Sequence, residues 1–294
     1  MSIPFTKMNS QGNDFIVIDN SRSQFIIDQK TAIRLCDRNN VGCDQLLILK
    51  IQSASNVECI IYNNDGTKAS QCGNGLRAIM LFLHSNYQYT EVKIYVEGIS
   101  YCAKYIDNEL IEIKMGTPYY VYDVPNLRHD DIKILKNQYY FDVKSTFENQ
   151  HINFTYGALS IGNLHCVIFS EGSYEFREEI SSIIKVLYAD MANISFILNP
   201  KELINGTQAI VSLRVNERGA GWTQSCGSGA TAAGCFALKH LVPYDKTIID
   251  KKHIKVRQEG GLLEILLDAD EVNDMETLFL SGPSEIDYVG SWDG

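Results

Sequence analysis

Two cysteines stand in matching sequence contexts that favour acid–base chemistry at sulfur. Cys72 begins a Cys-Gly-Asn-Gly segment and Cys226 begins a Cys-Gly-Ser-Gly segment. A stretch of helical character follows each motif, so each cysteine is predicted to lie at a helix N-terminus. Free amide groups and partial positive charge at that end of a helix lower the pKa of a thiol. The motifs therefore predict two thiols that can exchange protons near neutral pH.

The glycines of both motifs also suit them to bind a carboxylate. Because glycine has no side chain, a ligand can approach the backbone amides closely. One thiolate could then remove the α-proton of an amino acid while a thiol on the other face supplies a new one. The bound carboxylate would take on enolate-like charge in the transition state. Either motif alone is equally compatible with a helix cap whose thiol is simply buried.

An internal repeat pairs the two cysteines. Four matches occur in the same order in both halves of the chain, residues 12–18 with 162–168, 72–75 with 226–229, 92–98 with 254–260 and 115–118 with 280–283. Four ordered matches are hard to obtain by chance, and a two-unit duplication predicts two similar domains.

Each half is predicted to contain the same order of elements. Strands are predicted at 15–19, 46–49, 59–62, 92–96, 110–115, 254–256 and 262–267, and helices at 76–83 and 230–238. The predicted fold class is α+β, with two pseudo-symmetric domains that are each a curled, mostly antiparallel sheet around a central helix. Pro118 and Pro125 punctuate the boundary. We expect domains of 1–118, joined by the C-terminal strand at about 277–294, and of 119–276.

Further polar residues cluster near the motifs in sequence. His165 and Glu217 could each accept a proton from a thiol, although a lone histidine is more often structural. Arg218 could bind a second carboxylate through both guanidinium nitrogens, or be an ordinary surface charge. Four asparagines follow apolar runs or adjoin glycine, where a turn is the alternative interpretation: Asn13, Asn63, Asn163 and Asn193.

With these residues the chain resembles the diaminopimelate epimerase family, which interconverts LL- and meso-diaminopimelate. The segments that carry the resemblance are 7–8, 12–15, 42–46, 63–66, 71–75, 162–167, 192–194, 217–221, 226–230 and 282–283. They span essentially the whole chain. Departures from the family pattern are Leu164 in place of proline, Trp222 in place of glutamate, and Ser10-Gln11 in place of Gly-Leu.

The resemblance implies an active site between two domains, a homodimer and a reaction without a cofactor. It implies Cys72 and Cys226 as base and acid, assisted by His165 and Glu217. The reacting carboxylate would be bound by Gly73, Asn74, Gly227 and Ser228. The distal amino-acid end would be held by Asn13, Gln45, Asn63, Asn163, Asn193 and Arg218.

Composition narrows the classes of function. The 294 residues are 45% hydrophobic and 21% charged, as in a soluble globular protein, and the net charge of −10 argues against nucleic-acid binding. The first residues lack the apolar segment of a secretion signal, and no apolar run is long enough for a membrane span, so a cytoplasmic protein is expected. The eight cysteines form no Cys-x-x-Cys pair, and most are expected to be reduced and buried.

Other functions remain open at this point. A racemase of another amino acid would keep the mechanism and change the substrate. A non-catalytic amino-acid-binding or redox-sensing protein could instead join Cys72 and Cys226 in a reversible disulfide. A pyridoxal enzyme is not supported, because no lysine stands in the context of a Schiff base. The adjacent pair His165-Cys166 has no spaced partners, so no metal site is predicted.

Overall fold

The structure is a computed structural model that describes residues 2–23, 25–69, 71–107, 110–126, 132–136, 140–147, 150–169, 172–205, 210–241, 253–270 and 275–294. The first elements in chain order are β1 (Ile3–Ser10), β2 (Asn13–Asp19), α1 (Gln29–Cys36), β3 (Gln45–Ser53), β4 (Asn56–Asn63), β5 (Lys68–Ala69), α2 (Gly73–Tyr87), β6 (Glu91–Val96), β7 (Ile99–Asp107) and β8 (Leu110–Gly116). Next come β9 (Tyr119–Tyr120), β10 (Ile132–Lys136), β11 (Phe141–Phe147), β12 (Gln150–Ser160), β13 (Leu164–Phe169), α3 (Tyr174–Leu187), β14 (Asn193–Ile197), α4 (Pro200–Ile204), β15 (Ile210–Glu217) and β16 (Gly221–Thr223). The last are α5 (Gly227–Phe236), a π-helical turn (Ala237–Leu241), β17 (His253–Gln258), β18 (Gly261–Asp270), β19 (Met275–Gly282) and β20 (Glu285–Trp292).

Every strand predicted from the sequence lies within an observed strand, and both predicted helices are present. The chain divides into two compact units. The first unit comprises Met1–Lys114 and Leu280–Gly294, and the second unit comprises Met115–Phe279.

The sheet of the first unit is mixed but mostly antiparallel. Strand β1 lies between β20 and β2 and is antiparallel to both, and β2 pairs with β3 in parallel. Strand β3 pairs with β4, β4 runs parallel to β6, and β6 and β7 extend the sheet antiparallel. Helices α1 and α2 make the two parallel crossovers. Helix α2 contacts β1, β2, β3, β6, β7 and β20, so strands at both ends of this order curl around one helix.

The second unit repeats this order. Strands β11, β12 and β13 are antiparallel, β13 and β14 are parallel, and β14 pairs antiparallel with β15. Strand β15 runs parallel to β17, which pairs with β18. Helices α3 and α5 make the crossovers, and α5 contacts β12, β13, β14, β15, β17 and β18. The two pseudo-symmetric α+β domains predicted from the duplication are therefore present.

Both central helices are buried on every side along the segment that follows the cysteine. In α2 each residue from Gly73 to Leu83 is buried, and in α5 every residue is buried. The small residues of α5 let the surrounding strands approach closely. At Gly234 an added Cβ would lie only 2.8 Å from Cγ1 of Ile265 in β18. No helix in the part of the chain that the structure describes has both the length and the hydropathy of a membrane span.

Candidate active site

The two cysteines hold equivalent positions in the two units. Cys72 is the N-cap of α2, with extended backbone (φ −153°, ψ 100°), and its sulfur accepts a hydrogen bond from the amide of Gly75 at 3.2 Å. Cys226 is the N-cap of α5 (φ −125°, ψ 109°), and its sulfur accepts from the amide of Gly229 at 3.3 Å. Sulfur here takes the place of the usual N-cap oxygen, and an amide donor favours its anionic form.

Glycine at the third position after each cysteine makes this contact possible. A Cβ on Gly75 would lie 3.3 Å from the sulfur of Cys72. A Cβ on Gly229 would lie 3.2 Å from the sulfur of Cys226 and 2.8 Å from Val215 of β15. The Cys-Gly-x-Gly motif therefore describes how sulfur packs against the first turn of a helix.

In the first unit, Asn13 lies beside Cys72. Its Oδ1 is 3.9 Å from Cys72 Sγ and 3.5 Å from Nδ2 of Asn74, while its Nδ2 donates to Oδ2 of Asp44 at 3.0 Å. A carboxylate only accepts hydrogen bonds. Asp44 therefore orients the amide of Asn13 so that its oxygen faces the cysteine.

An ion network supports Asp44. Arg38 donates to Asp44 at 2.8 Å and to both oxygens of Asp14, at 2.5 and 2.7 Å. Lys7, which is buried, donates to Asp14 at 2.5 Å. Burial opposes ionisation of Asp14, yet the hydrogen bonds from Arg38 and Lys7 outweigh it and hold the pKa of this carboxyl well below its usual range.

Gln45 and Asn63 face each other across the β3–β4 pair. Nε2 of Gln45 donates to Oδ1 of Asn63 at 2.9 Å, and Nδ2 of Asn63 donates to Thr67 at 3.0 Å. Oε1 of Gln45 is buried and has no hydrogen-bond partner among the described residues. Because a buried oxygen without a partner is costly, this oxygen is suited to accept a hydrogen bond from a ligand.

In the second unit, Ser228 joins three of the predicted residues. Its Oγ lies 3.0 Å from Nε2 of His165 and 3.6 Å from Sγ of Cys226, and it accepts from Nδ2 of Asn163 at 3.1 Å. The other ring nitrogen of His165 lies 3.5 Å from Oγ of Ser195. His165 has no exposed surface, and burial lowers its pKa to about 3. The imidazole is therefore neutral at physiological pH and can exchange a proton with the hydroxyl.

Glu217 acts directly on Cys226. Its Oε1 accepts from Oγ1 of Thr223 at 2.5 Å, which holds the carboxylate between β15 and β16. Burial is the main cause that raises the pKa of Cys226 well above its ordinary value, and the charge of Glu217 raises it further. Hydrogen bonds from Ser228 and from the Gly229 amide act in the opposite direction. Cys226 is thus a protonated thiol.

Asn193 and Arg218 are connected through the backbone. Oδ1 of Asn193 accepts from the amide of Arg218 at 3.0 Å, and its Nδ2 donates to the carbonyl of Leu164 at 3.2 Å. The guanidinium of Arg218 is exposed, and its Nη1 lies 4.0 Å from the sulfur of Met191. Arg218 pairs with no carboxylate in the ranges that the structure describes.

Several supporting residues were not predicted from the sequence. The side chain of Gln258 makes two hydrogen bonds to the backbone of Cys226. Its Oε1 accepts from the Cys226 amide at 2.9 Å, and its Nε2 donates to the Cys226 carbonyl at 3.3 Å. Ser10 Oγ lies 3.1 Å from the carbonyl of Asn74. Asp44 lies within the family segment 42–46 and Gln258 within the repeat segment 254–260, and these positions were the available signal. No motif or repeat marked Ser195 or Thr223.

Comparison with known proteins identifies the family. A family model described as diaminopimelate epimerase matches residues 5–121. A diaminopimelate epimerase from Vesicomyosocius okutanii subsp. Calyptogena okutanii is 30% identical over 309 residues, which cover 99% of this chain and 98% of that protein. The chain belongs to the diaminopimelate epimerase family. It is therefore an epimerase, a kind of isomerase.

Other relatives agree with membership of the diaminopimelate epimerase family. The diaminopimelate epimerase of Blochmanniella floridana is 34% identical over 251 residues, covering 80% of this chain and 83% of its own length. Among solved structures, a hydroxyproline epimerase from Agrobacterium vitis matches with a TM-score of 0.58 at 12% identity, covering 99% of this chain and 92% of that one. A phenazine biosynthesis protein of the PhzF family from Bacillus anthracis matches with a TM-score of 0.63 at 11% identity over the full length of both chains. These structures share the fold of the family.

Proposed function

We propose that this member of the family interconverts LL- and meso-diaminopimelate, with Cys72 and Cys226 as the proton-transfer groups and without a cofactor. The observation that carries the proposal is the matched pair of N-cap cysteines. The sulfur of each accepts a hydrogen bond from the amide of the third residue of a buried helix. The relatives named diaminopimelate epimerase support the choice of substrate.

In the proposed reaction the two cysteines act on the same α-carbon of one substrate molecule. The thiolate of one cysteine removes the α-proton, so an S–H bond forms as the C–H bond breaks. The electron pair left on carbon delocalises into the adjacent carboxylate. The thiol of the other cysteine then protonates the opposite face and becomes a thiolate, which inverts the centre. The two cysteines exchange roles in the reverse direction.

The helix N-termini stabilise the charge that develops. Backbone amides at Gly73, Asn74, Gly227 and Ser228 are proposed to bind the reacting carboxylate. They are fixed in place by α2 and α5, so they require little reorganisation as the carboxylate becomes enolate-like.

His165, Ser228 and Glu217 control the proton on Cys226. The neutral imidazole of His165 reaches the thiol through the hydroxyl of Ser228. The charge of Glu217 disfavours the Cys226 thiolate, so Cys226 is the proposed proton donor when the substrate centre is deprotonated from the other side.

The remaining residues are proposed to bind the distal amino-acid end. The buried Oε1 of Gln45 is suited to the second ammonium group, together with the amides of Asn13, Asn63, Asn163 and Asn193. Arg218, with its exposed guanidinium, is suited to the second carboxylate. This set predicts a preference for a substrate with two amino-acid head groups.

The test is epimerisation of LL-diaminopimelate by the reduced protein, without added pyridoxal phosphate or metal, in deuterium oxide. A two-base mechanism incorporates deuterium at the α-carbon of the product and leaves recovered substrate unlabelled at early times. Cys72→Ala and Cys226→Ala are each expected to lower kcat at least about 1,000-fold. Cys102→Ala, which removes an exposed cysteine, is the matched control with full activity.

Two outcomes would contradict the proposal. Turnover that survives in either active-site variant would exclude the two-thiol mechanism. Exchange at the α-hydrogen of a monocarboxylic amino acid, with none in diaminopimelate, would exclude the substrate and favour a racemase of another amino acid.

A further inference from the structure

A tryptophan that departs from the family pattern lies on the hairpin that carries Glu217 and Arg218. Strands β15 and β16 form this hairpin, with Asn216 of β15 opposite Trp222 of β16. The proton transfers and the substrate contacts proposed above assign Trp222 no part. A bulky side chain at this position either takes up space beside the substrate or supports the residues that act on it. The direction of the side chain decides between the two.

The two faces of the hairpin have different neighbours. Side chains of a strand alternate between faces, and directly paired residues share a face. Val215 and its partner Thr223 face α5, since a Cβ on Gly229 of α5 would lie 2.8 Å from Cγ2 of Val215. Glu217 is on this face too, where Thr223 donates to its carboxylate. Trp222 therefore lies on the opposite face, away from α5.

On that opposite face, Trp222 packs against α3 and β14. Its ring centroid lies 5.7 Å from that of Phe196 in β14 and 5.8 Å from that of Tyr174 in α3. Its Nε1 donates a hydrogen bond to Oε1 of Glu178, which is also in α3. The indole is partly buried against the apolar core of the second unit. Trp222 thus contacts the scaffold of this unit and takes up no space on the face that carries Glu217.

The acceptor of the indole hydrogen bond is an ionised carboxylate. Hydrogen bonds from Tyr174 and Trp222 hold the pKa of Glu178 below its ordinary value. A hydrogen bond to a charged acceptor is stronger than one between neutral groups. The glutamate of the family pattern at position 222 would place a second carboxylate on the same face as Glu178. Trp222 and Glu178 are therefore a matched pair in this chain.

The backbone of the hairpin is short and contains glycines with unusual conformations. Strand β16 has three residues, and Gly219 and Gly221 adopt positive φ angles of 79° and 73°. Glycine permits this tight turn but also leaves the chain more conformational freedom than other residues do. A side chain of β16 that is anchored outside the hairpin is therefore expected to restrict the turn.

We propose that Trp222 is a positioning residue that fixes the β15–β16 turn through its hydrogen bond to Glu178 and its packing on Phe196. The fixed turn then holds Glu217 and Arg218 in place for the reaction. The roles of Glu217 and Arg218 rest on the proposed function; the anchoring of the turn by Trp222 does not.

The first measurement tests the anchor without turnover, by hydrogen–deuterium exchange of the peptide that covers residues 216–223. Trp222→Phe keeps an aromatic ring and removes the N–H donor. Glu178→Met removes the acceptor, whereas Glu178→Gln keeps an amide oxygen at the same place. The controls are Trp292→Phe, which alters the other tryptophan of the chain, and Glu179→Met, which removes the adjacent carboxylate of α3.

Exchange of the 216–223 peptide should be about tenfold faster in Trp222→Phe and in Glu178→Met, because a hydrogen bond to a charged group is lost. Glu178→Gln should lie closer to the wild-type protein, and both controls should match it. The peptide that covers α5 should keep its wild-type exchange in every variant, which distinguishes a loosened turn from a general loss of stability.

The second measurement connects the anchor to catalysis. Trp222→Phe should lower kcat/KM for diaminopimelate about tenfold, since small displacements of positioned groups are costly, and Trp292→Phe should leave it unchanged. Combining Trp222→Phe with Glu217→Gln should cost less than the product of the two separate losses, because both changes act through the same carboxylate. A tryptophan that only stabilises the fold would give losses that multiply.

Wild-type exchange of the turn peptide in Trp222→Phe and in Glu178→Met overturns the proposal, whether or not the protein epimerises diaminopimelate. If Trp222→Phe does not fold, the two Glu178 variants decide, because they leave the indole in place. Faster exchange with unchanged kcat/KM, or losses that multiply in full, overturns the positioning role. If the turn loosens but the wild-type protein does not epimerise diaminopimelate, the anchor stands and the proposed function fails.

Discussion

Oγ of Ser228 lies 3.0 Å from Nε2 of His165 in the core of the second unit. The same oxygen is 3.6 Å from the sulfur of Cys226, so the hydroxyl connects a neutral imidazole to a protonated thiol. The His165 ring is held on its other side by Ser195. The geometry gives Ser228 a side-chain role in addition to the backbone role implied by the Cys-Gly-x-Gly motif.

Replacing Ser228 with alanine should break this connection. A buried hydrogen bond of this kind is worth about 1–3 kcal/mol, so kcat for diaminopimelate should fall about 10- to 100-fold in Ser228→Ala. Ser181→Ala is the matched control, because it deletes a buried hydroxyl of α3 that has no partner in the described structure. A wild-type kcat in Ser228→Ala would mean that His165 does not act through this hydroxyl.

Removing the charge of Glu217 should make Cys226 easier to ionise. Because this carboxylate is one of the groups that raise the pKa of Cys226, Glu217→Gln should lower that pKa. Alkylation of Cys226 at a fixed alkaline pH should then be about tenfold faster, while kcat falls. Glu175→Gln, which neutralises an exposed carboxylate on α3, should change neither quantity. Slower alkylation in Glu217→Gln would mean that Glu217 lowers the pKa of Cys226, which contradicts the prediction.

Asp44 should control substrate affinity through Asn13. In Asp44→Asn the side chain can both donate and accept, so it no longer fixes the amide of Asn13 with its oxygen towards Cys72. We expect KM to rise about tenfold with a smaller change in kcat. Steady-state kinetics check this, with Asp37→Asn in the same loop as the control. A fall in kcat at unchanged KM would point to a role in proton transfer instead.

Stability should depend on Asp14 in acid. The folded-state pKa of Asp14 lies below its unfolded value, so its contribution is fully present above about pH 4 and is lost as pH falls below that. At neutral pH, Asp14→Asn leaves Lys7 buried without its carboxylate and should cost roughly 3 kcal/mol. Denaturant unfolding from pH 7 downwards should show the gap between wild type and variant closing. A gap that stays constant down to pH 3 would exclude this linkage.

Much of the fold could be predicted because it depends on local patterns and on the repeat. The strands around each cysteine motif follow from short β-rich runs, and α5 follows from a continuous stretch of small and apolar residues. The helix end was less predictable, since α5 ends at Phe236 and passes into a π-helical turn. Nothing in the local sequence marks that change in hydrogen bonding.

The candidate site was predicted less completely. Cys72, Asn13 and Asn74 lie together in the first unit, and Cys226, His165, Asn163 and Ser228 lie together in the second. The supporting residues Ser195, Thr223 and Gln258 are remote in sequence from the cysteines or carry no motif. Their roles depend on side chains that only folding brings within hydrogen-bonding distance.

By itself the sequence determined that two cysteines would each cap a buried helix. A helix start, its glycines and the amides around a capping sulfur are set within a few residues of chain. Only the tertiary structure decided the charge around each sulfur, because electrostatic effects depend on burial and on distance through space. It brought the carboxylate of Glu217 to Cys226, and it placed the amide oxygen of Asn13 beside Cys72. Two motifs that are alike in sequence thereby acquire different electrostatic surroundings.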